Sequence, residues 1–171
     1  MEPGSSRPDG WLGMAPAAVG AEIIIADAGW RRLLPRVEWL ARRAVAATLA
    51  AEGFEGSLTV LLTDDRALKR LNGEHRGKEK PTNVLSFPND EGDYLGDIAL
   101  ALGVVRREAL AAGKRADAHF AHLVVHGTLH LLGHDHLSAG EARIMETAEA
   151  RIMGRLRLPN PWKAPLGRLA A

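Results

Sequence analysis

Three histidines in the second half of the chain have the spacing of metal ligands. They are His126, His130 and His136, within the segment HGTLHLLGHDH. On a helix, His126 and His130 would lie on one face and one turn apart. Gly133 would let the chain leave that helix with a positive φ and turn His136 back towards the other two. Three nitrogen ligands with one open coordination position are typical of catalytic zinc, so the sequence predicts one Zn²⁺ ion here.

The same segment follows the long zinc metallopeptidase pattern HExxHxxGxxH with one departure. The glutamate that acts as general base in those peptidases is replaced by Gly127. The sequence therefore predicts a zincin-like histidine helix that lacks the peptidase base. A zinc peptidase is the less favoured alternative function, and peptide cleavage abolished by His130→Ala would support it.

Two polar residues beside the histidines are weaker candidates. Asp135 precedes the third histidine, so it could orient an imidazole or act as a base towards a water on the metal. His122 lies one helical turn before His126, where it is either a partner of the site or an ordinary structural histidine. Because no glutamate follows His126, no general base is evident, which predicts slow turnover.

The composition bounds the class of protein. The chain has 171 residues, of which 46% are hydrophobic and 25% charged, as in one soluble domain with its own core. It has no cysteine, so disulfides and thiolate metal sites are excluded. The net charge is +1, yet 31–43 and 66–80 are basic while 89–97 is acidic. A local anion-binding face is therefore compatible with the near-neutral total.

The ends of the chain are predicted to be tails. Residues 1–20 and 161–171 are rich in Gly, Pro and Ala, and Met14 is an alternative start. No apolar run approaches the roughly 18 residues of a membrane-spanning helix. The first 20 residues also lack the basic and apolar regions of a signal peptide. We therefore expect a cytoplasmic protein without a membrane partner.

Apolar periodicity and turn residues predict four strands and five helices in the order βαβαββααα. The strands are predicted at 21–28, 57–63, 83–87 and 94–101, and the helices at 30–52, 64–73, 103–112, 117–132 and 138–155. Strands early and helices late indicate one α+β domain over 21–160, with the histidine helix across one face of a single sheet. The short turn between the last two strands predicts an antiparallel hairpin.

The arginines of 31–43 are interpreted as a solvated helix face rather than a nucleic-acid contact. Trp30, Trp39 and Phe54 are predicted to lie in the core. With 5% aromatic residues, the composition does not indicate a protein that binds single strands by base stacking.

The segment HGTLHLLGHDH resembles the signature of the YbeY family, the metal-dependent endoribonucleases of ribosomal RNA maturation. LNGEHRGKEKPTNVLSFP at 71–88, LGDIAL at 95–100 and AHFAHLVVHG at 118–127 resemble further parts of that family. The resemblance covers about 21–160. One departure is His134, where many members carry tyrosine, and it adds a titratable group beside the site.

This resemblance implies an α+β fold with a small mixed sheet, a three-histidine zinc site and hydrolysis of single-stranded RNA. It also implies 3′-end processing of small-subunit ribosomal RNA and late ribosome quality control, with the small ribosomal subunit as partner. Ribosomal proteins and an assembly GTPase are further partners by resemblance. Asp97 would hold a loop or a ligand from behind. A non-catalytic ribosome-assembly factor with a structural zinc is the other alternative.

Arg76 matches the functional arginine of the YbeY family. Phosphodiester hydrolysis builds negative charge on the phosphoryl oxygens, which a guanidinium can bind in a bidentate manner. Lys78 and Lys80 would hold flanking phosphates without reading sequence, or else belong to a solvated loop. The attacking group is either a metal hydroxide or a ribose 2′-OH, and the end groups of the product would distinguish the two.

Overall fold

The computed structural model of the chain describes residues 20–76, 82–90 and 92–163. These residues form the following elements in chain order: β1 (Gly20–Ile25), α1 (Gly29–Leu33), α2 (Val37–Glu52), β2 (Ser57–Thr63), α3 (Asp65–Arg76), β3 (Val84–Pro88), β4 (Tyr94–Ala101), α4 (Leu102–Ala112), α5 (Ala116–Leu131) and α6 (Ala139–Arg155). The α+β class is confirmed. No described helix is both long and apolar enough to cross a membrane.

The four strands form one mixed sheet in the order β1-β2-β4-β3. The strands β1, β2 and β4 run parallel, and β3 pairs antiparallel with β4. The predicted hairpin is therefore confirmed, with Leu85 opposite Ala99. The apolar run of β2 is buried along its whole length because it lies inside the sheet with helices on both faces.

Alternate residues of β4 contact different helices. Ile98 and Leu100 belong to the larger core, which the sheet forms with α2, α5 and α6. Ala99 and Ala101 face the other way, into a smaller apolar cluster with Leu68 of α3. The histidine helix α5 therefore lies against one face of the sheet, as predicted, and α3 lies against the opposite face.

The predicted helix 30–52 is wrong in one respect, because it is interrupted at Pro35. Leu34 has an extended backbone with φ −134° and ψ 93°, and α2 begins only at Val37. Proline has no backbone N–H to donate and disfavours the helical conformation of the residue before it. The break separates α1 from α2.

The predicted end of α3 near Gly73 is also wrong, because the helix continues to Arg76. Asp64 caps its start, since its Oδ1 accepts the Ala67 N–H at 2.7 Å. Leu68 and Leu71 are buried against the sheet. Their packing outweighs the roughly 1 kcal/mol that a glycine costs inside a helix.

The aromatic residues of the first half divide between core and surface. Trp30 is buried, and its indole N–H donates to the Thr63 carbonyl at 2.9 Å. Trp39 and Phe54 are 44% and 49% exposed, so their predicted place in the core is wrong. The guanidinium of Arg36 lies 3.9 Å from the centroid of the Trp39 ring, a cation–π contact at the surface.

Candidate metal centre

The helix α5 carries two of the three histidines, His126 and His130. Beside them on this helix, Gly127 packs directly on the sheet, where a Cβ atom would lie 2.9 Å from Ile98 Cγ2. The Ser86 hydroxyl donates to the Gly127 carbonyl at 3.2 Å. Position 127 therefore has no room for a side chain, and a glutamate there would point into the sheet.

The turn after α5 has the geometry that the sequence predicts. Gly133 has a φ of +98°, and the His134 N–H donates to the Leu129 carbonyl at 3.0 Å. This closes the last turn of the helix in the manner of a glycine C-cap. The chain then reverses and brings the His136 ring to 5.1 Å from that of His130, measured between centroids.

The three histidines converge on one point. His126 Nε2 and His130 Nε2 are 3.1 Å apart, and one nitrogen from each of His126, His130 and His136 lies within 4.8 Å of the others. A tetrahedral ion with bonds of 2.0–2.1 Å places its nitrogen ligands about 3.3 Å apart. The donor set therefore fits one metal ion, with exposed His136 on the solvent side. That these residues are the ligands stays a prediction.

Glu149 is a residue of this site that the sequence analysis missed. It lies in the middle of α6, and its side chain is only 1% exposed. Oε1 accepts from His126 Nδ1 at 3.1 Å, and Oε2 accepts from His122 Nε2. A proton held on His126 Nδ1 leaves Nε2 of that ring with its lone pair directed at His130. Glu149 thus selects the tautomer of His126 that can bind a metal.

The electrostatics of this cluster favour an ionised carboxylate at Glu149 and a neutral imidazole at His130. Burial alone would raise the pKa of Glu149, but hydrogen bonds from His122 and His126 outweigh it and lower that pKa to about 2. Burial, together with the two neighbouring imidazoles, lowers the pKa of His130. A neutral imidazole is the form that binds metals, so His130 is ready to act as a ligand near neutral pH.

A second group of possible donors shares one residue with the first. His122, His126 and Glu149 also lie close enough to hold a metal. Their donor atoms, however, already satisfy one another, and the carboxylate is almost completely buried. The three-histidine group, by contrast, reaches solvent through the exposed His136. It is therefore the better candidate for a metal that must meet a substrate.

Of the two other acidic residues predicted for the site, the structure places one beside the histidines and the other away from them. Asp135 stands beside the third histidine, where its Oδ1 accepts the His136 N–H at 2.7 Å. Asp97 is buried on the face of the sheet that α3 covers, and its carboxylate accepts from the Tyr94 hydroxyl. Asp97 is thus not among the residues that α5 brings together.

The basic segment is described only in part. Arg76 is the last residue of α3, and the structure describes its backbone but not its side chain. Lys78 and Lys80 lie outside the described residues. His134, the departure from the family pattern, turns away from the cluster, with its Nε2 3.1 Å from Glu52 Oε1 on α2.

Comparison with known proteins gives consistent matches. The sequence model of the family described as Endoribonuclease YbeY matches residues 30–157. The chain is 43% identical to Endoribonuclease YbeY of Rhodopseudomonas palustris strain HaA2, over 93% of this chain and 90% of that protein. It is 46% identical to Endoribonuclease YbeY of Gluconobacter oxydans, over 84% and 88% of the two chains. A Thermotoga maritima protein solved in solution has the same fold, with a TM-score of 0.52 and 24% identity over 84% of this chain and 99% of that one.

Proposed function

Because the chain belongs to the YbeY family, we propose that it is a metal-dependent endoribonuclease that cleaves single-stranded RNA. Its proposed role is the 3′-end maturation of small-subunit ribosomal RNA and late ribosome quality control. The observation that carries the proposal is the convergence of three imidazole nitrogens at the solvent-facing end of α5.

The proposed metal is one Zn²⁺ ion held by His126, His130 and His136, because nitrogen ligands without thiolates suit zinc. When bound, such an ion supplies a Lewis acid that polarises a phosphoryl oxygen and acidifies a water. Glu149 holds the Nδ1 proton of His126, so that Nε2 faces the metal position. Through its other oxygen Glu149 holds His122, which we assign to positioning rather than to ligation.

Arg76 is proposed to bind the phosphoryl group that is attacked. Its guanidinium would neutralise the charge that builds on the non-bridging oxygens as the phosphorus gains a fifth bond. Lys78 and Lys80 are proposed to contact the neighbouring phosphates. Asp135 is proposed to fix the loop of the third histidine through its bond to the His136 N–H.

The proposed context follows from the family. The catalytic domain is proposed to span residues 21–160, between an N-terminal and a C-terminal tail. Its proposed site of action is the cytoplasm, on the small ribosomal subunit, together with ribosomal proteins and an assembly GTPase.

The test replaces Arg76 and compares it with another arginine of the same helix. Arg76→Ala is expected to fold, to keep one zinc per chain and to lose RNA cleavage by at least about 100-fold, as when one transition-state donor is removed. Arg70→Ala is the matched control, because Arg70 is exposed on α3 and outside the proposed site. Cleavage of a labelled single-stranded RNA and metal content are measured on the same preparations.

The preparation must be shown to be free of other ribonucleases. His130→Ala, purified in the same way, should lose both zinc and cleavage. Undiminished cleavage by Arg76→Ala would remove Arg76 from the mechanism, and undiminished cleavage by both variants would show that a contaminant cuts the RNA. If all zinc-loaded proteins leave RNA intact, the non-catalytic assembly factor becomes the better reading. A 2′,3′-cyclic phosphate on the product would assign the attack to the ribose 2′-OH.

A further inference from the structure

A cavity of about 600 Å³ adjoins the candidate metal centre. His126 lines it, so the cavity and the three histidines share one wall. Its other walls are formed by Asn83 just before β3, Glu108 of α4, His119 and His122 of α5, and Trp162 in the segment that follows α6. This volume easily exceeds that of a single nucleobase. A chain bound with a phosphate at the histidines would have a neighbouring nucleotide within reach of it.

Trp162 offers an aromatic surface to this cavity. Its side chain is 52% exposed, and its ring meets that of His122 edge to face, 5.7 Å apart between centroids. Hydrogen bonds hold the backbone around Trp162 in place. The backbone N–H of Trp162 donates to Asn160 Oδ1 at 2.9 Å, and the Lys114 ammonium donates to the Pro161 carbonyl at 3.1 Å. An exposed indole held in one position is a platform on which a base can stack.

Glu108 and His119 offer acceptors to this cavity, which the Lys114 ammonium also lines. Glu108 Oε1 accepts from His119 Nε2 and from Asn83 Nδ2, each at 3.0 Å. A carboxylate has about four lone-pair sites, so Glu108 can accept further N–H groups. Because His119 donates through Nε2, its Nδ1 is an acceptor, and this buried atom has no hydrogen-bond partner among the described residues.

From this arrangement we propose that the cavity binds one unpaired nucleobase of the RNA substrate, next to the nucleotide that is cut. The base stacks on Trp162 and donates its exocyclic amino group to Glu108, which favours cytosine, adenine or guanine over uracil. The inference rests on the proposed RNA substrate. It revises the expectation that this chain does not use base stacking, which was drawn from its low aromatic content.

The first experiment measures binding separately from cleavage. The probe is a fluorescent cytosine-rich oligonucleotide with 2′-O-methyl riboses, added to the zinc-loaded protein and checked by gel to remain intact. Fluorescence anisotropy should show Trp162→Ala binding at least about fivefold more weakly than wild type, with Trp162→Phe close to wild type. Trp39→Ala is the matched control, because Trp39 is a similarly exposed tryptophan beside arginines on α2.

The outcomes are distinct. Equal affinities of wild type and Trp162→Ala would overturn the proposal, and so would an equal loss in Trp39→Ala. On cleavable RNA, Trp162→Ala should raise KM by a similar factor and leave kcat within about twofold. If wild type binds the probe through Trp162 but cuts no RNA, the proposed endoribonuclease function fails and the base-binding cavity stands.

A second variant tests the preference without depending on Trp162. Wild type should bind a cytosine-rich probe several-fold more tightly than a uracil-rich probe of equal length, and Glu108→Gln should reduce this ratio towards one. A wild-type ratio of one, or a ratio that Glu108→Gln leaves unchanged, would overturn the role of Glu108. This comparison decides the matter if circular dichroism shows that Trp162→Ala does not fold.

Discussion

Replacement of Glu149 by glutamine tests how α6 prepares the metal centre. Glutamine keeps the size of the side chain, but its amide has one acceptor oxygen and one donor nitrogen. It can accept the N–H of either His122 or His126, and it presents an N–H to the other ring. If that ring is His126, a proton moves from Nδ1 to Nε2, and Nε2 is then no longer able to bind a metal.

The expected loss in the free energy of unfolding follows from how strongly the cluster stabilises the charge on Glu149. The pKa of Glu149 falls from 4.5 to about 2. At about 1.4 kcal/mol for each pKa unit, this net shift, which already includes the opposing effect of burial, corresponds to about 3 kcal/mol in favour of the carboxylate. Part of this is retained by the one bond that glutamine keeps. We expect the metal-free variant to lose about 1–3 kcal/mol in the free energy of unfolding, and zinc to bind about 10–100-fold more weakly.

Two measurements check this expectation. Urea denaturation of the metal-free proteins gives the change in the free energy of unfolding, and competition with a chromophoric chelator gives the zinc Kd. Glu146→Gln is the matched control, because Glu146 lies on the same helix and is partly exposed. It should change neither quantity beyond the error of the measurement.

The zinc affinity also separates a positioning role from direct ligation. If Glu149 were itself a ligand, its loss should abolish stoichiometric zinc, and His122→Gln should do the same. With Glu149 as a positioning residue, both variants still bind one zinc at saturating metal. Wild-type zinc affinity in Glu149→Gln would refute the assignment of the His126 tautomer to this carboxylate.

Three further predictions concern the backbone and the pH dependence. Gly133→Ala should destabilise the protein by about 1–2 kcal/mol in urea denaturation and weaken zinc binding, because the φ of Gly133 is +98°. Gly154→Ala is the control: this glycine lies in open space on α6, so the substitution should stabilise the protein by up to about 1 kcal/mol. Gly127→Ala should cost about 1 kcal/mol on the same measure, since crowding against Ile98 exceeds the gain in helix propensity, and a stabilised variant would contradict the packing described here. Burial lowers the pKa of His119 below 6.5, so the unfolded chain binds this proton more readily than the folded protein does. The free energy of unfolding should therefore decrease as the pH is lowered from 7.5 to 5.5, and it should decrease less in His119→Gln. An equal decrease in the two proteins would contradict this.

The sequence by itself determined the features that depend on near neighbours in the chain. His126 and His130 share a helix face because of their spacing, and Gly133 ends that helix because it tolerates a positive φ. Ser138 caps α6 and accepts the Glu141 N–H at 3.1 Å, because a serine followed three residues later by a glutamate has the spacing of a capping box. Such rules act over a few residues, so they can be read without the fold.

Errors arose where packing competed with local preference. The continuation of α3 through Gly73 depends on leucines that reach the sheet. Trp39 is exposed because α2 packs through its small and β-branched residues, such as Ala44 and Val45. The interruption at Pro35 was visible in the sequence, since proline has a known local effect on helices.

Only the tertiary structure decided what completes the metal centre. Glu149 comes from another helix, 23 positions from His126, and nothing local links the two. In the sequence it is a charged residue among the buried positions of α6, between Met145 and Ile152, which marks it as unusual without naming its partners. Trp162 likewise reaches the site from beyond α6, through its contact with His122. The spacing of ligands along one helix is fixed by covalent geometry, whereas the proton on each imidazole and the space beside it depend on which distant elements pack there.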